Sequence, residues 1–342
     1  MSFNFHKSFP IGTRQVGEGN PIFIVAEAGV AHFGSVEKAR ALVDLAVSAG
    51  ADAIKFQVFK TNELISKEAQ DWIERLKPKE LPFEAFKEIQ AYCSKKGIIF
   101  FATAHDELSL EFLDSLDVPV FKIGSGEVAN WPFLEKVASR GKPVILSTGM
   151  YTLEEIGQAL AAFAITANPH VAVLHCVTRY PTPALDVNLR AMQTIQEKFN
   201  VLTGYSDHTE GIHFPVAAAS LGAKIIEKHI SLDFNVPNAQ DWKVSCGPDD
   251  LPLLVRQIRD IEVGLGSGIK APSTGEQASL LWARKSLVAA RDINAGELIT
   301  ADLLQAKRPG KGIPPARFGE VVGRKAKVKI RKDTAIQWED LL

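Results

Sequence analysis

The stretch Ala53-Ile-Lys-Phe-Gln-Val-Phe59 is apolar at five of its seven positions, and only Lys55 and Gln57 interrupt it. Runs that are apolar at almost every position are typical of parallel strands buried on both faces. Short runs of this kind recur along the chain, mostly at intervals of one strand-plus-helix unit. The eight predicted strands are Ile22–Glu27, Ala53–Phe59, Ile98–Ala102, Val120–Ile123, Val144–Ser147, Val171–Cys176, Val201–Tyr205 and Ile225–Ile230.

Helical patterns separate these strands. In residues 35–50, apolar side chains at steps of three and four form one stripe, with Ser35 as a candidate N-cap and Gly50 as a candidate stop. Eight strands, each followed by a helix, predict an α/β fold of the (β/α)8 type, a TIM barrel. A doubly wound open sheet is the rival, but it does not need eight units, and no GxGxxG follows the first strand. Similar helical patterns occur at Phe83–Lys96, Leu153–Ala167 and Leu251–Val263.

The chain is expected to contain two domains. Residues 1–265 form the barrel with an N-terminal extension, in which residues 1–21 are predicted to fold as a hairpin beneath the barrel. Residues 266–284 are rich in Gly and have the composition of a linker. Residues 285–342 form a small β-rich domain, too small to have more than a marginal core of its own. Its predicted strands are Ser286–Ala290, Leu303–Arg308 and Ala326–Ile330.

Charge and composition narrow the range of partners. The net charge of −1 argues against general nucleic-acid binding. Residues 283–342 carry a net charge of +6 and the rest −7, so a basic module accompanies an acidic body and suggests contact with an anion. Three dispersed cysteines, no apolar leader and no long apolar run favour a cytoplasmic protein with reduced thiols and no membrane contact.

The predicted strand ends are unusually polar. In barrels of this type, the carboxyl ends of the strands carry the chemistry. Alternate residues of a barrel strand point inward, so Lys55 and Gln57 share one face, as do Glu227 and His229. Burying so many ionisable groups is costly unless they pair or bind a ligand. The strand ends therefore predict an active site rather than a set of structural ion pairs.

The strand-end residues fall into two chemical groups. His208 and His229 could hold a divalent metal through neutral imidazole nitrogens, and Glu27 and Glu127 could act as acid, base or water-positioning groups. The cation and hydroxyl donors suited to a phosphate are Lys122, Ser125, Ser147 and Ser206.

Seven motifs occur in a fixed order along the chain: Ile24–Gly29, Asp52–Gln57, Phe121–Glu127, Leu146–Met150, Tyr180–Pro183, Gly204–Gly211 and Ile226–His229. Together they resemble the motifs of the sialic acid synthase family, which includes N-acetylneuraminate, legionaminate and pseudaminate synthases. Through Lys285–Ile293, Ala295–Thr300 and Lys307–Gly310, the C-terminal module resembles that family's SAF (antifreeze-like) domain. The likeness covers nearly the whole chain.

The resemblance implies a reaction. The family condenses phosphoenolpyruvate with the open-chain aldehyde of an N-acylated amino sugar, giving a nine-carbon 2-keto-3-deoxy acid and phosphate. His208 and His229 would hold the metal, a Lewis acid for the aldehyde, with Mn2+ as the expected ion and Mg2+ or Co2+ as alternatives. Glu27 and Glu127 would handle the attacking water and its proton. The residues implied for phosphoenolpyruvate are Lys55, Lys122, Ser125, Ser147 and Ser206, and those for the sugar are Gln57, Tyr180 and Asp241.

The resemblance also implies a domain-swapped homodimer, in which the SAF domain of one subunit caps the partner's barrel and Arg308 contacts the sugar's N-acyl group. Within Gly204–Gly211, Asp207 is expected either to orient a neighbour or to be structural. Thr209 and Glu210 are expected to cap the following helix.

The chain departs from the family's usual pattern at five positions. These changes leave the phosphate and metal residues intact and are expected to face the sugar, so the acceptor could be a diacetamido hexose rather than N-acetylmannosamine. The alternative is that these substitutions arose by neutral drift and do not change the acceptor sugar. Two other functions stay open: synthesis of an eight- or seven-carbon 2-keto-3-deoxy acid from a phosphorylated sugar, and carbohydrate binding without catalysis by the SAF domain. The five departures are Ala31, Phe33, His105, Arg179 and Trp242.

Overall fold

Eight parallel strands close into a barrel in the computed structural model, which describes residues 3–237 and 239–342. An antiparallel hairpin of β1 (Ser8–Ile11) and β2 (Arg14–Gly17) precedes it. The barrel strands are β3 (Phe23–Gly29), β4 (Ala53–Val58), β5 (Ile99–Ala104), β6 (Phe121–Ile123), β7 (Val144–Ser147), β8 (Val171–His175), β9 (Leu202–Asp207) and β10 (Ile225–His229). Because β10 pairs with both β9 and β3, the sheet has no free edge. The predicted barrel is confirmed.

Helices follow the strands and cover the outside of the barrel. The first begins after Ser35, whose Oγ accepts a hydrogen bond from the Lys38 N–H at 3.2 Å, and ends at Gly50, which adopts a φ of 78°. A left-handed C-cap of this kind favours glycine. The helices are α1 (Val36–Ala49), α2 (Thr61–Leu64), α3 (Gln70–Leu76), α4 (Phe83–Lys96), α5 (Glu107–Ser115), α6 (Trp131–Ala138), α7 (Leu153–Ile165), α8 (Ala184–Val187), α9 (Arg190–Phe199), α10 (His213–Ser220) and α11 (Asp250–Gly264).

The N-terminal hairpin closes the amino end of the barrel, as predicted. Phe9, Ile11 and Val16 are buried in one cluster with the first inward-facing residues of the barrel strands. Asp52 links this end to the outer shell, because its carboxylate accepts from the Ile24 N–H at 2.9 Å and pairs with Arg259 at 2.7 Å. This end of the barrel is therefore an apolar plug, whereas the opposite end carries polar side chains.

A buried ion pair lies between the last two barrel strands. Lys228 Nζ is 2.5 Å from Asp207 Oδ2, and the Tyr205 hydroxyl donates to Asp207 Oδ1 at 2.9 Å. Thr209 Oγ1 also donates to this carboxylate, so Thr209 is not the helix cap that the sequence suggested. The helix α10 begins only after Ile212 and has no side-chain cap, so the prediction that Glu210 caps this helix is also wrong.

The chain divides into two compact units, one ending at Gly266 and the other spanning Ser267–Leu342. The second unit contains α12 (Gln277–Trp282), α13 (Phe318–Val321) and the antiparallel strands β11 (Ser286–Ala289) and β12 (Leu304–Lys307). Its small core is continuous and includes Leu287, Ile299 and Val321.

The prediction of a third strand in this unit, Ala326–Ile330, is wrong. Ala326 bridges to Leu341 and Ile330 bridges to Ile293, so the segment contacts two different partners and forms no continuous ladder. In the described part of the chain, no helix has the length and apolar character needed to cross a membrane. All three cysteines are free and buried.

Candidate active site

A cavity of about 160 Å³ opens at the carboxyl end of the barrel strands. Ten of the thirteen residues proposed from the sequence line it: Glu27, Lys55, Gln57, Lys122, Ser125, Ser147, Tyr180, Ser206, His208 and His229. They come from successive strands of one closed sheet, which explains why residues so distant in sequence meet. The structure therefore brings these ten residues together in one cavity, and the roles assigned to them stay predictions.

Two lysines and two glutamates form the floor of the cavity. Lys55 Nζ is 2.9 Å from Glu27 Oε1 and 3.7 Å from Glu227 Oε1. Lys122 Nζ is 3.9 Å from Glu227 Oε1 and donates to Ser147 Oγ at 2.6 Å. All four charged side chains are at most 5% exposed. Buried charges are tolerated because each lysine has a carboxylate nearby.

The two glutamates differ in their affinity for a proton. Desolvation raises the pKa of Glu27, and its neighbours Lys55 and Gln57 only partly oppose this effect. Glu227 is also desolvated, but Lys122 and Lys55 outweigh the burial and hold its pKa well below the usual value. Neighbouring carboxyls with diverging pKa values often divide into proton donor and anion. Glu27 is accordingly the better placed of the two to carry a proton.

The floor also has unsatisfied hydrogen-bonding capacity. Oε2 of Glu27 and Oε2 of Glu227 are buried and have no hydrogen-bond partner in the described structure. Burial lowers the pKa of Lys122, and the nearby Lys55 ammonium lowers it further. Because unpaired buried polar atoms cost free energy, the two carboxylate oxygens are suited to a ligand hydroxyl or a water that donates to them, whereas the lysine ammonium groups beside them are suited to an anion.

One wall of the cavity combines hydroxyl, thiol and backbone donors. The Gly149 N–H donates to Ser125 Oγ at 2.9 Å and to Cys176 Sγ at 3.1 Å. A Cβ at position 149 would lie 2.2 Å from Thr178 Oγ1, so only glycine fits between these groups. The Gly149 N–H thus fixes the Ser125 hydroxyl, which lines the cavity together with Lys122, and this pair of donors suits a phosphate.

The two histidines lie on the opposite side. The His208 and His229 ring centroids are 5.5 Å apart. Burial lowers the pKa of His208 to about 4, and the neighbouring His229 adds to this effect. His208 Nδ1 is 2.6 Å from the Val177 carbonyl, so Nδ1 donates and Nε2 carries a lone pair, 3.0 Å from the Tyr180 hydroxyl. Neutral imidazoles fixed in one tautomer by a carbonyl are typical metal ligands.

These histidines fit a metal site that draws its other ligands from outside the protein. Within the described ranges, no group of three or more His, Cys, Asp or Glu side chains is placed to hold a metal ion. His208 and His229 would therefore supply two nitrogens, and water or substrate oxygens would supply the rest.

A second, larger cavity adjoins the first, and we call it the outer lobe. Its volume is about 470 Å³, and it shares Gln57, Tyr180 and His229 with the catalytic cavity. Asp241, one of the predicted sugar-binding residues, lines it. The other lining residues are Val30, Trp72, Arg75, Leu76, Lys79, Ala239, Gln240 and Lys243.

Two predicted residues lie outside both cavities. Glu127 follows Ser125 on a short turn, and its Oε2 accepts from Asn130 Nδ2 at 2.6 Å. Burial raises the pKa of its carboxyl, although it does not line the catalytic cavity. Arg308 belongs to the C-terminal unit, where its guanidinium is 5.3 Å from the ring centroid of Trp282. The roles of both residues stay predictions.

Only one of the five departures from the family pattern lines the catalytic cavity, and that residue is His105. Burial lowers its pKa to about 4, with Lys55 and Lys122 adding to the effect. Arg179 instead pairs with Asp186 at 2.9 Å on the surface, and Phe33 lines a separate cavity.

Besides His105, six further lining residues were not among the proposed site residues: Thr103, Gly124, Gly126, Cys176, Thr178 and Glu227. A signal for Glu227 existed in the sequence, since it shares a strand face with His229. Cys176 gave no signal beyond its place at a strand end.

Comparison with known protein families gives two matches along the chain. Residues 42–270 match the NeuB family and residues 284–342 match the SAF domain. An N,N'-diacetyllegionaminic acid synthase of Campylobacter jejuni is 40% identical over 92% of this chain and 98% of its own length. The human N-acetylneuraminate-9-phosphate synthase is 36% identical over 95% of this chain and 94% of its own length.

A solved structure shows the same architecture. The N-acetylneuraminic acid (sialic acid) synthetase of Leptospira borgpetersenii, crystallised in complex with citrate, superposes with a TM-score of 0.75. It is 37% identical, and the match covers 80% of this chain and 95% of that one. The relatives carry the names of different sugar acids at similar identity, so likeness alone does not determine the acceptor sugar.

Proposed function

Because the chain belongs to the NeuB family and is an enzyme of the sialic acid synthase type with a C-terminal SAF domain, we propose that it condenses phosphoenolpyruvate with the open-chain aldehyde of an N-acylated amino sugar. The products would be a nine-carbon 2-keto-3-deoxy acid and inorganic phosphate. The observation that carries this proposal is the floor of the cavity, where the buried ammonium groups of Lys55 and Lys122 converge and Lys122 donates to the Ser147 hydroxyl. Such a site is suited to a small polyanion.

The protein's own groups have distinct roles in this reaction. Lys122 and the Ser147 and Ser125 hydroxyls bind the phosphoryl group, the Gly149 N–H positions Ser125 by donating to its Oγ, and Lys55 neutralises the carboxylate. C3 of phosphoenolpyruvate then attacks the aldehyde carbon, and water adds to C2. The tetrahedral intermediate loses phosphate by cleavage of its C2–O bond. Glu27, whose pKa is raised by burial, is placed to hold the proton that the water releases.

His208 and His229 are proposed to hold a divalent metal, for which Mn2+ is the expected ion. When bound, this metal supplies a Lewis acid for the aldehyde oxygen of the sugar. Gln57 and Tyr180 line both cavities, and we assign them to the sugar near its reacting end. Asp241 in the outer lobe is assigned to a sugar hydroxyl or amide farther away.

Metal-dependent phosphate release tests this function. Purified protein stripped of metal is expected to release phosphate from phosphoenolpyruvate only when an N-acylated amino sugar and Mn2+ are both added. Omission of either component serves as the control, and mass spectrometry of the product identifies the nine-carbon acid. Failure to bind phosphoenolpyruvate would exclude the synthase function. An eight-carbon or seven-carbon product would support the rival synthase reaction instead.

We further propose that the chain acts as a homodimer in which the SAF domain of one subunit caps the partner's barrel. The net charge of +6 in residues 283–342 supports this arrangement, because phosphoenolpyruvate is anionic. Mixing an inactive Lys122→Met protein with an inactive Arg308→Ala protein is expected to restore part of the activity if subunits exchange. No recovery from preformed mixed dimers would contradict the shared site.

A further inference from the structure

The outer lobe is lined by more positive than negative charge. Arg75, Lys79 and Lys243 line it, and Asp241 is the one acidic side chain among the described lining residues. The three cations come from two separate connections of the barrel, the segment after β4 and the segment after β10. Their convergence on one cavity is therefore produced by the fold and is not a run of like charges in the sequence.

None of the three cations has an ion-pair partner within 4.0 Å in the described structure. Each lies near an aromatic ring instead. Arg75 is 5.7 Å from the ring centroid of Trp72, Lys79 is 6.0 Å from that of Phe33, and Lys243 is 5.8 Å from that of Trp242. Asp71 and Glu74 border a neighbouring cavity that Arg75 and Lys79 also line, but they form no ion pair with either of them. The cations remain available to a ligand.

The neighbouring lysine in the same segment behaves differently. Lys77 is 3.0 Å from Glu80, whose carboxylate also accepts from the Thr61 N–H at 3.0 Å. Glu80 is thus paired with Lys77 and Thr61 and does not line the outer lobe. For Lys79, burial lowers the pKa and Arg75 lowers it further, while Asp241 only partly compensates. An added anion would relieve this repulsion.

We propose that the acceptor sugar carries an anionic group, a phosphate or a carboxylate, that binds to Arg75, Lys79 and Lys243 in the outer lobe. This inference rests on the proposed function, because it assumes that the sugar aldehyde reacts beside His229. Since Gln57, Tyr180 and His229 border both cavities, a sugar reacting there extends directly into the outer lobe. A neutral sugar would leave all three cations unpaired.

The anionic group would belong to the end of the sugar remote from the aldehyde. The aldehyde carbon must face phosphoenolpyruvate, and Asp241 would repel an anion placed beside it but can accept from a hydroxyl or amide. The three donors of the lobe have different geometries, since a guanidinium offers a planar fork and two ammonium groups act as point charges. Such a set suits a phosphate with several oxygens as well as a carboxylate.

Acceptor kinetics test the inference. N-acetylmannosamine, its 6-phosphate and N-acetylmannosaminuronic acid would be compared as acceptors with phosphoenolpyruvate and Mn2+. An anionic acceptor is expected to have a kcat/KM at least about tenfold above that of the neutral sugar, with the advantage decreasing as salt is added. The 6-phosphate and the uronic acid distinguish a phosphate from a carboxylate.

Substitutions then assign the effect to the lobe. Arg75→Gln and Lys79→Gln are each expected to lower the ratio of anionic to neutral kcat/KM by about five- to tenfold. Lys67→Gln, which removes a charge from the same connection but does not line the lobe, is expected to leave that ratio unchanged. Unaltered phosphoenolpyruvate binding by calorimetry shows that the variants are folded.

The outcomes separate this inference from the function on which it rests. Turnover of N-acetylmannosamine as well as, or better than, both anionic acceptors would overturn the anionic acceptor and leave the synthase function standing. The same conclusion follows if the two lobe variants reduce all acceptors equally. Absence of phosphate release with every acceptor would overturn the synthase function, and this inference with it.

Discussion

Replacement of Lys122 by methionine is expected to lower kcat/KM for phosphoenolpyruvate by about a hundred- to a thousandfold. Lys122 is buried in the floor of the catalytic cavity, donates to Ser147 Oγ at 2.6 Å and lies 3.9 Å from Glu227. Methionine preserves much of the side-chain volume but removes the positive charge that would face the phosphoryl group. Steady-state phosphate release at saturating sugar measures the effect.

The stability of the same variant separates a binding role from a folding role. Burial and the neighbouring Lys55 lower the pKa of Lys122, so its charged form is disfavoured before substrate binds. Glu227 would keep Lys55 as a partner at 3.7 Å, so the Lys122→Met protein is expected to stay folded at the assay temperature, which thermal unfolding checks. Lys136→Met, which removes an exposed lysine paired with Glu107, is the matched control and should keep full activity. Retention of activity by Lys122→Met would contradict the proposed phosphate site.

Replacement of His208 or His229 by glutamine is expected to abolish tight Mn2+ binding and to lower kcat by about a hundredfold or more. Each histidine contributes one of the two neighbouring imidazole rings on one side of the cavity, and no group of three or more possible metal ligands forms among the described residues. Loss of either ring therefore removes half of the protein's own ligands. Calorimetric titration with Mn2+ measures binding directly.

A third barrel histidine provides the control for this experiment. His175 lies at the end of β8, where its Nε2 contacts the Val187 carbonyl at 2.8 Å, and it does not line the catalytic cavity. His175→Gln is therefore expected to retain stoichiometric Mn2+. Equal loss of metal in all three variants would indicate general unfolding, and retention of metal by His208→Gln would place the ion elsewhere.

The barrel and its catalytic cavity could be predicted because both depend on strand periodicity. Lys55 and Gln57 are two residues apart in a buried strand, so both had to point to the same side, and closure of the sheet brought the other strand ends to them. Glu127 lies outside the cavity because it sits on a turn after β6, where the alternation of a strand no longer fixes the direction of its side chain.

The outer lobe could not be predicted in this way. Arg75, Lys79 and Lys243 belong to irregular connections, whose path is determined by packing and not by a repeating pattern. The same limit explains the error at Ala326–Ile330, where alternating basic and apolar residues resemble a strand but pair with separate segments. Periodicity indicates which face a residue occupies, but it does not indicate which partner that face will meet.

The pairing of β10 with β3 has a consequence for how the chain is made. The first barrel strand, β3, leaves the ribosome early, but its second neighbour, β10, is complete only when residues 225–229 have been synthesised. Until then the nascent sheet has two open edges, at β3 and at its newest strand, with unpaired backbone groups that can recruit other chains. Arg259, which pairs with Asp52, is also synthesised only after the last barrel strand. The growing protein is thus an open sheet for most of its synthesis, and the last barrel strand is the one that removes its exposed edges.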